Sequence, residues 1–451
     1  MNPPTLHKNA IFLSSLLLIL LFHPALHAKI KKGPLTFGSL FQYEHFSFLQ
    51  SLKGLEYMDR TANIADSRHE FLTRPTVQWE PLPSLQLLAT PEFRGDLTYK
   101  ERSKIFLYEG HLDIFSPRMD VLLGKQFITW GRADIFKPTD VFKRHDSTDF
   151  VEDRQAAIVA LKGDISLGPW LLELVWAPFF EKDALRLESK NRWSGLPSSG
   201  LINNEGPFGL NYRVADENDP PLDPRSSQAG VRLGRSFEAW DFAFMYAASY
   251  DRTPTSILQQ VTQTNPATGT ASIDLVTSYK HRHVVGGDFA THWRDWGIRG
   301  EVAYTLTEDI RGRDPTIDDP YVQWVLGIDY TWVDFFKEWD LWMIVQYALD
   351  TELPSRGGTN QNGAGNPLKH FFQNALFSHL KLDFDFFTHL EIKGYINLEN
   401  GDRLLQPEFQ WNPFDGLTLI GGADFMGGPA NALFGLYQNN DRIRFSVKYE
   451  F

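Results

Sequence analysis

The sequence predicts an all-β fold: a single transmembrane antiparallel β-barrel of about eighteen strands (roughly 16–18), with short periplasmic turns and long extracellular loops. Three observations carry the prediction. Apolar and polar residues alternate with period 2 along many segments, connection length sorts by strand parity, and the last strand ends on an aromatic residue, Phe451. A chain that is 14% aromatic yet only 42% hydrophobic fits such a barrel, because each strand shows lipid an apolar side chain only at every second position.

Lys8 precedes an apolar run from Ala10 to Phe22, followed by Leu26-His27-Ala28. A basic start, an apolar core and a small residue at a cleavage point make residues 1–28 a secretory signal peptide. At about 13 residues the run is short for a membrane helix, which needs roughly 20. Residues 29–451 then form the barrel domain. The chain has no cysteine, which excludes disulfides and thiolate metal or haem sites. No cofactor and no metal site is expected. The net charge of −12 argues against a nucleic-acid partner.

The clearest strand is the last. Ile443, Phe445, Val447, Tyr449 and Phe451 alternate with Arg442, Arg444, Ser446, Lys448 and Glu450. A soluble half-buried strand alternates similarly but seldom stops at the carboxylate, and Phe451 resembles the signal read by the outer-membrane barrel assembly machinery. The same pattern recurs at Phe242 to Tyr250, Ile298 to Leu306, Val322 to Tyr330 and Leu390 to Leu398. The predicted strands are 35–48, 67–80, 84–99, 104–116, 119–130, 155–167, 169–180, 227–236, 239–251, 272–291, 296–309, 320–332, 338–351, 369–385, 387–399, 402–412, 416–427 and 441–451. Connections after even-numbered strands are tight, as at Glu80-Pro81-Leu82-Pro83 and Leu167-Gly168-Pro169. Those after odd-numbered strands are mostly long, including 131–154 and the extracellular loop 181–226. This is the asymmetry of outer-membrane barrels. Trp79, Trp130, Trp170, Trp240, Trp293, Trp296, Trp332, Trp339 and Trp411 fall at strand ends, where aromatic girdles meet the membrane interfaces.

The segment 131–154 mixes both charge signs with Phe136, Phe142 and Phe150. Folded into the barrel, it reads as a constriction loop in which Arg132, Asp134, Lys137, Asp140, Lys143, Arg144, Asp146 and Asp149 set a transverse field that sorts polar solutes. A solvated external loop and a salt-bridge cluster sealing the wall are the alternatives. Arg299, Glu301, Glu391, Lys393, Glu399, Arg442, Arg444 and Lys448 point into the lumen if the aromatic faces meet lipid, since charge at the bilayer midplane costs about 2–4 kcal/mol.

Gly124-Lys125-Gln126, Trp130-Gly131-Arg132-Ala133-Asp134, Pro138-Thr139-Asp140, Asp146 and Asp149-Phe150 resemble a segment of a group of large porin-like outer-membrane barrels of Gram-negative bacteria. Gly168-Pro169-Trp170 and Val175-Trp176-Ala177-Pro178-Phe179-Phe180 are similar to that group's next hairpin. The resemblance covers roughly residues 120–180 and implies a porin-like family without naming a substrate.

The leading functional reading is a non-enzymatic outer-membrane channel for passive or facilitated passage of small polar solutes. A barrel serving as scaffold or sleeve for export or electron-transfer partners is the first rival. An outer-membrane enzyme is the second. His281 and His283 share one strand face and read as a solvated lumen pair rather than a metal site. His45 and Ser47 also share a face, but no orienting group or oxyanion site accompanies them by spacing. The expected partners are outer-membrane lipid and lipopolysaccharide, the barrel assembly machinery, small polar solutes and further copies in a homotrimer.

Overall fold

Eighteen antiparallel strands close on themselves in strict sequence order. The computed structural model describes residues 29–50, 65–152, 154–184, 192–193, 209–215, 219–265, 270–314, 317–353 and 372–451. The predicted signal peptide, 1–28, lies outside them.

The barrel strands are β1 (Leu35–Phe48), β2 (Ser67–Leu82), β3 (Leu85–Asp96), β4 (Lys104–Phe115), β5 (Met119–Gln126) and β6 (Ile158–Leu167). They continue with β7 (Trp170–Ala177), β8 (Gln228–Ser236), β9 (Trp240–Tyr250), β10 (His281–Trp293), β11 (Trp296–Thr307) and β12 (Tyr321–Phe336). The last six are β13 (Trp339–Glu352), β14 (Ala375–Asp383), β15 (Thr388–Asn397), β16 (Arg403–Phe414), β17 (Leu417–Gly427) and β18 (Arg442–Glu450). The seam joins β1 to β18 from Leu40↔Glu450 to Phe48↔Arg442. Closure pairs every one of the eighteen strands on both sides, as a sheet in hydrocarbon requires; a short strand, Ile30–Lys32, adds on beside the seam by pairing with Leu35 to Phe37. Phe451 completes the seam: its N–H donates to Ser39 O at 3.1 Å and its carbonyl accepts from Ser39 N–H at 3.0 Å. Its ring stacks on Phe41 with centroids 6.2 Å apart.

Alternation decides which face each side chain takes. On β11, Val302 is exposed outward, while Arg299 and Glu301 meet groups inside the barrel. Trp79, Trp240, Trp293 and Trp411 are exposed near the short turns, as a girdle requires. The turns after even-numbered strands hold two to four residues, from Pro83-Ser84 to Asp415-Gly416. Gly168 in the β6–β7 turn has φ +64°, a left-handed conformation that glycine adopts at least cost.

Several local expectations are corrected. Predicted strand 272–291 is two elements: Thr270–Ser278 pairs with Gly209–Ala215 and Ser256–Asn265 in a separate three-stranded sheet, and the barrel strand begins at His281. Alternation continues through both because it registers a two-faced strand, not the partner that strand pairs with. Predicted strand 119–130 stops at Gln126, and predicted strand 155–167 begins in the barrel at Ile158. Between them, Arg144–Asp146 and Arg154–Ala156 form a small hairpin of their own. Trp130 is no girdle residue: it is buried to 1% exposure on a segment that enters the lumen. Glu399 lies beyond β15 in the β15–β16 turn and accepts from Asn374 Nδ2 at 3.3 Å.

Candidate functional site

The chain leaves β5 at Gln126 and returns to the wall at Ile158. Between these points it forms a strut across the lumen. Its first half lies on the inner faces of β6–β11. Ile128, Trp130, Val141 and Phe142 pack with Ile158, Ala160, Val175, Ala177, Met245, Ala247, Val284 and Ala303. The indole of Trp130 meets the Phe142 ring edge-on, with centroids 5.0 Å apart. Inward positions here are small. A Cβ on Gly230 would come within 2.6 Å of the Trp130 ring and 2.8 Å of Phe142. Small residues on the wall therefore form a shelf that seats two large rings.

Glu301 of β11 fastens this half. Its carboxylate accepts from Ala133 N–H at 2.6 Å, Thr139 N–H at 3.2 Å and Thr139 Oγ1 at 2.8 Å. Gly131, at φ +88°, passes so close that a Cβ would lie 2.4 Å from a Glu301 oxygen. Ile135 N–H donates to Gln346 of β13 at 3.0 Å. Asp140 accepts from Trp130 N–H at 2.9 Å, and burial pushes its carboxyl up to about 6.

The second half reaches the opposite wall. Asp149 accepts from Arg68 of β2 at 2.8 Å and Arg442 of β18 at 2.6 Å. Arg442 also grips Asp424 of β17 at 2.5 Å. Glu152 meets Arg68 at 2.9 Å and Arg154 at 2.8 Å. Arg154 continues to Glu70 at 2.6 Å and Glu44 at 2.7 Å. Arg94 of β3 meets Asp146 at 3.1 Å. Asp149, Arg68 and Arg442 are almost wholly buried. Burial alone would raise the Asp149 carboxyl, but Arg442 and Arg68 hold it far below the usual carboxylate range. Burial pushes Glu152, beside Asp149, up to about 7. β2 and β11 stand half the eighteen-strand circuit apart, so the strut is pinned at both ends of a diameter.

The two ends of the lumen differ. Toward the long loops the charge is buried and paired: Arg68 and Arg442 stack on Phe46, beside an apolar cluster in which Ala133, Trp193, Phe434 and Tyr437 meet inward residues such as Val325, Phe377 and Tyr395. Toward the short turns the charged side chains are more exposed. Arg132 donates to Asp288 at 2.8 Å, and Arg232 holds Asp288 at 3.0 Å. Arg299 bridges Asp134 at 3.0 Å and is hydrogen-bonded to Asp329. Glu391 accepts from His379 at 3.1 Å, Arg444 pairs with Glu408, and Lys448 meets Glu450 at 3.1 Å. Lys393, 3.6 Å from Glu391, keeps half its side chain exposed.

The predicted site residues thus fall into groups. Arg132 and Asp134 lie on the strut facing the short-turn end. Lys137 and Lys143 are half-buried, and their charges act on Asp140. Arg144 is drawn to Glu181 at 3.1 Å and to the Lys182 carbonyl at 2.7 Å. Asp146 and Asp149 are neutralised by wall arginines. Arg68, Arg94, Asp288 and Asp424 also belong to the site, as do Glu152 and Arg154 within the predicted 131–154 segment, none of them singled out by the sequence. A signal existed for some of them: Arg68-His69-Glu70 and Glu92-Phe93-Arg94 place opposite charges two apart on one face. The histidine pairs are corrected. His45 meets outward-facing His69 at 3.2 Å, and His283 meets exposed Tyr246 at 2.9 Å, so both pairs lie on the outer face. Among the described residues, no group of three or more His, Cys, Asp or Glu is arranged to hold a metal ion.

The chain is similar in structure to OccK11 (OpdR) of Pseudomonas aeruginosa, at 9% identity, covering 92% of this chain and 95% of that one with a TM-score of 0.49. It is also similar to Wzi of Escherichia coli, an outer-membrane protein involved in group 1 capsule assembly and described as a carbohydrate-binding β-barrel. That match has 9% identity, covers 91% of this chain and 84% of that one, and has a TM-score of 0.47. OmpT of Vibrio cholerae matches at 9% identity over 94% of this chain and 100% of that one, with a TM-score of 0.43. No curated protein matches the sequence. The family model described as "Protein of unknown function (DUF1302)" matches residues 101–451, and the chain belongs to that family.

Proposed function

We propose that this protein is an outer-membrane channel that passes small polar solutes through the space its strut leaves in the lumen. One observation carries the reading: a strut fixed at both ends of a diameter that turns Arg132 and Asp134 toward the short-turn end of the barrel. Fixed charges beside a narrow aqueous path select permeants by size and sign. The apolar cluster and the paired arginines that fill the long-loop end of the lumen favour a small or gated path over a wide one. The inward loop, the closed sheet and the aromatic girdle support placement in an outer membrane.

Planar-bilayer recording tests this. Discrete conductance steps are expected, with ion selectivity that shifts when Arg132 and Asp134 are neutralised. The apolar cluster at the long-loop end also favours a second reading, a closed sleeve for partner proteins. Absence of conductance in the intact barrel, with none gained on removing residues 131–143, would establish the sleeve and overturn the channel.

A further inference from the structure

We infer that the outer wall at the long-loop end of β14–β17 is a binding site for one phosphorylated glycolipid of the outer leaflet. This rests on the outer-membrane placement above and is independent of conduction. Two contiguous cavities define the site. A polar cleft of about 480 Å³ is lined by Gln50, Asn400, Arg403, Gln438 and Asn439 around the backbone of Gly427 and Gly428. Below it, an apolar groove of about 510 Å³ is walled by Leu376, Ile396, Leu405 and Phe425, with Ser378 and Gly394 between them. Arg403 lines both.

The geometry matches an amphiphile with an anionic, hydroxyl-rich head. Arg403 opens β16 on the lipid-facing side and is exposed. Among the described residues it has no carboxylate ion pair; its hydrogen bond is to the Gly401 carbonyl at 3.4 Å. The neighbouring Asp402 is turned inward and buried, accepting from Phe434 and Gly435 N–H at 3.0 and 2.8 Å. An unpaired guanidinium at the membrane interface suits a phosphate, which it binds through paired N–H donors. The amides of Gln50, Gln438 and Asn439 suit sugar hydroxyls, since an amide carries both donors and an acceptor; Asn400, whose oxygen accepts from Asp402 N–H at 2.9 Å, adds its NH2 donors. The groove gives an acyl chain apolar walls. Two glycines keep the site open. A Cβ on Gly427 would lie 3.2 Å from the Arg403 guanidinium, and one on Gly394 would lie 2.8 Å from Ser378 Oγ. The position of the groove, within three residues of the long-loop ends of its four strands, selects the outer leaflet.

The test titrates the purified full-length barrel in uncharged detergent, read by native mass spectrometry. The probes are bisphosphorylated lipid A, the same lipid after phosphatase treatment, phosphatidylglycerol and inorganic phosphate. Lipid A is expected to saturate one site. Arg403→Gln weakens it about tenfold, the scale of one charge-assisted contact, and phosphatase treatment weakens it similarly. Gly394→Leu, which fills the groove, also weakens it, while Arg294→Gln at the short-turn end leaves it unchanged. Retained heat-modifiable migration on gels confirms folding, and if Gly394→Leu fails to fold, Arg403→Gln decides alone. Binding indifferent to Arg403→Gln overturns the site. So does equal binding of phosphatidylglycerol, which would mean a nonspecific anionic-lipid surface, and so does displacement of lipid A by inorganic phosphate, which would mean a bare anion site.

Discussion

The two halves of the strut are held by different physics. Residues 128–142 sit on a shelf of small apolar residues and are fastened chiefly by Glu301, which accepts three hydrogen bonds, with single ion pairs from Arg132 to Asp288 and from Asp134 to Arg299 beside it. Residues 144–156 are held by arginines and carboxylates interleaved from five wall strands. Packing is non-directional and tolerates small shifts. A buried charge network is all-or-none, because any member removed leaves its partners charged and desolvated. The contrast suggests that the far half is a fixed post and the near half the part able to move.

Breaking the post has the largest expected effect. Arg442→Met takes the only cation from buried Asp424 among the described residues, leaving it Gln406, and leaves buried Asp149 with Arg68 alone; it is expected to cost about 3–5 kcal/mol. A urea midpoint from gel mobility checks it; a change below about 1 kcal/mol would place the strut's fixation elsewhere. Glu301→Ala comes next. It orphans the N–H groups of Ala133 and Thr139 and is expected to cost about 2–3 kcal/mol. It should loosen only residues 128–142, seen as faster amide exchange there with unchanged exchange at Arg154 to Ala156. Gly131→Ala should resemble a weaker Glu301→Ala, at about 1–3 kcal/mol, because it drives a methyl into the carboxylate and strains a left-handed residue.

The halves should also separate by pH. The raised value of Asp140 lies above the ordinary carboxylate one. Its contribution is therefore full in acid and is lost as pH rises through about 6. The lowered value of Asp149 acts oppositely: its contribution is present above the ordinary aspartate range and is lost only in strong acid. Exchange protection of residues 128–142 is expected to fall between about pH 4 and pH 6 and to level off above it, and Asp140→Asn should flatten that fall. A wild-type slope in the Asn variant would remove Asp140 from the explanation. The smallest stability effect belongs to Asp134→Asn. Its ion pair with Arg299 is about a third exposed, so it is worth about 0–1 kcal/mol. Reversal potentials should nevertheless move toward anion preference.

Several features were legible early because they follow from short-range rules. Alternation on β18 assigned Arg442, Arg444 and Lys448 to the lumen, and the charge at each of Arg299, Glu301, Glu391 and Lys393 reported its side of the wall. Loop-length parity placed 131–154 among the long connections. The shelf that seats the strut was written as Ala160, Ala177, Gly230, Ala247 and Ala303, but small residues have no signature until their register neighbours are known. For the same reason Trp130 looked like a girdle residue: a tryptophan at a strand end reads alike whether the chain turns outward or inward.

The sequence by itself determined the barrel, its strand order and the face of most side chains, because each depends on a period-2 pattern and on which residues can meet hydrocarbon. The tertiary structure decided which charges pair. Arg68, Asp149 and Arg442 lie 81 and 293 residues apart along the chain, and only closure of β1 on β18 brings them together. An ion pair's strength depends on separation and burial, and neither quantity exists before the fold does.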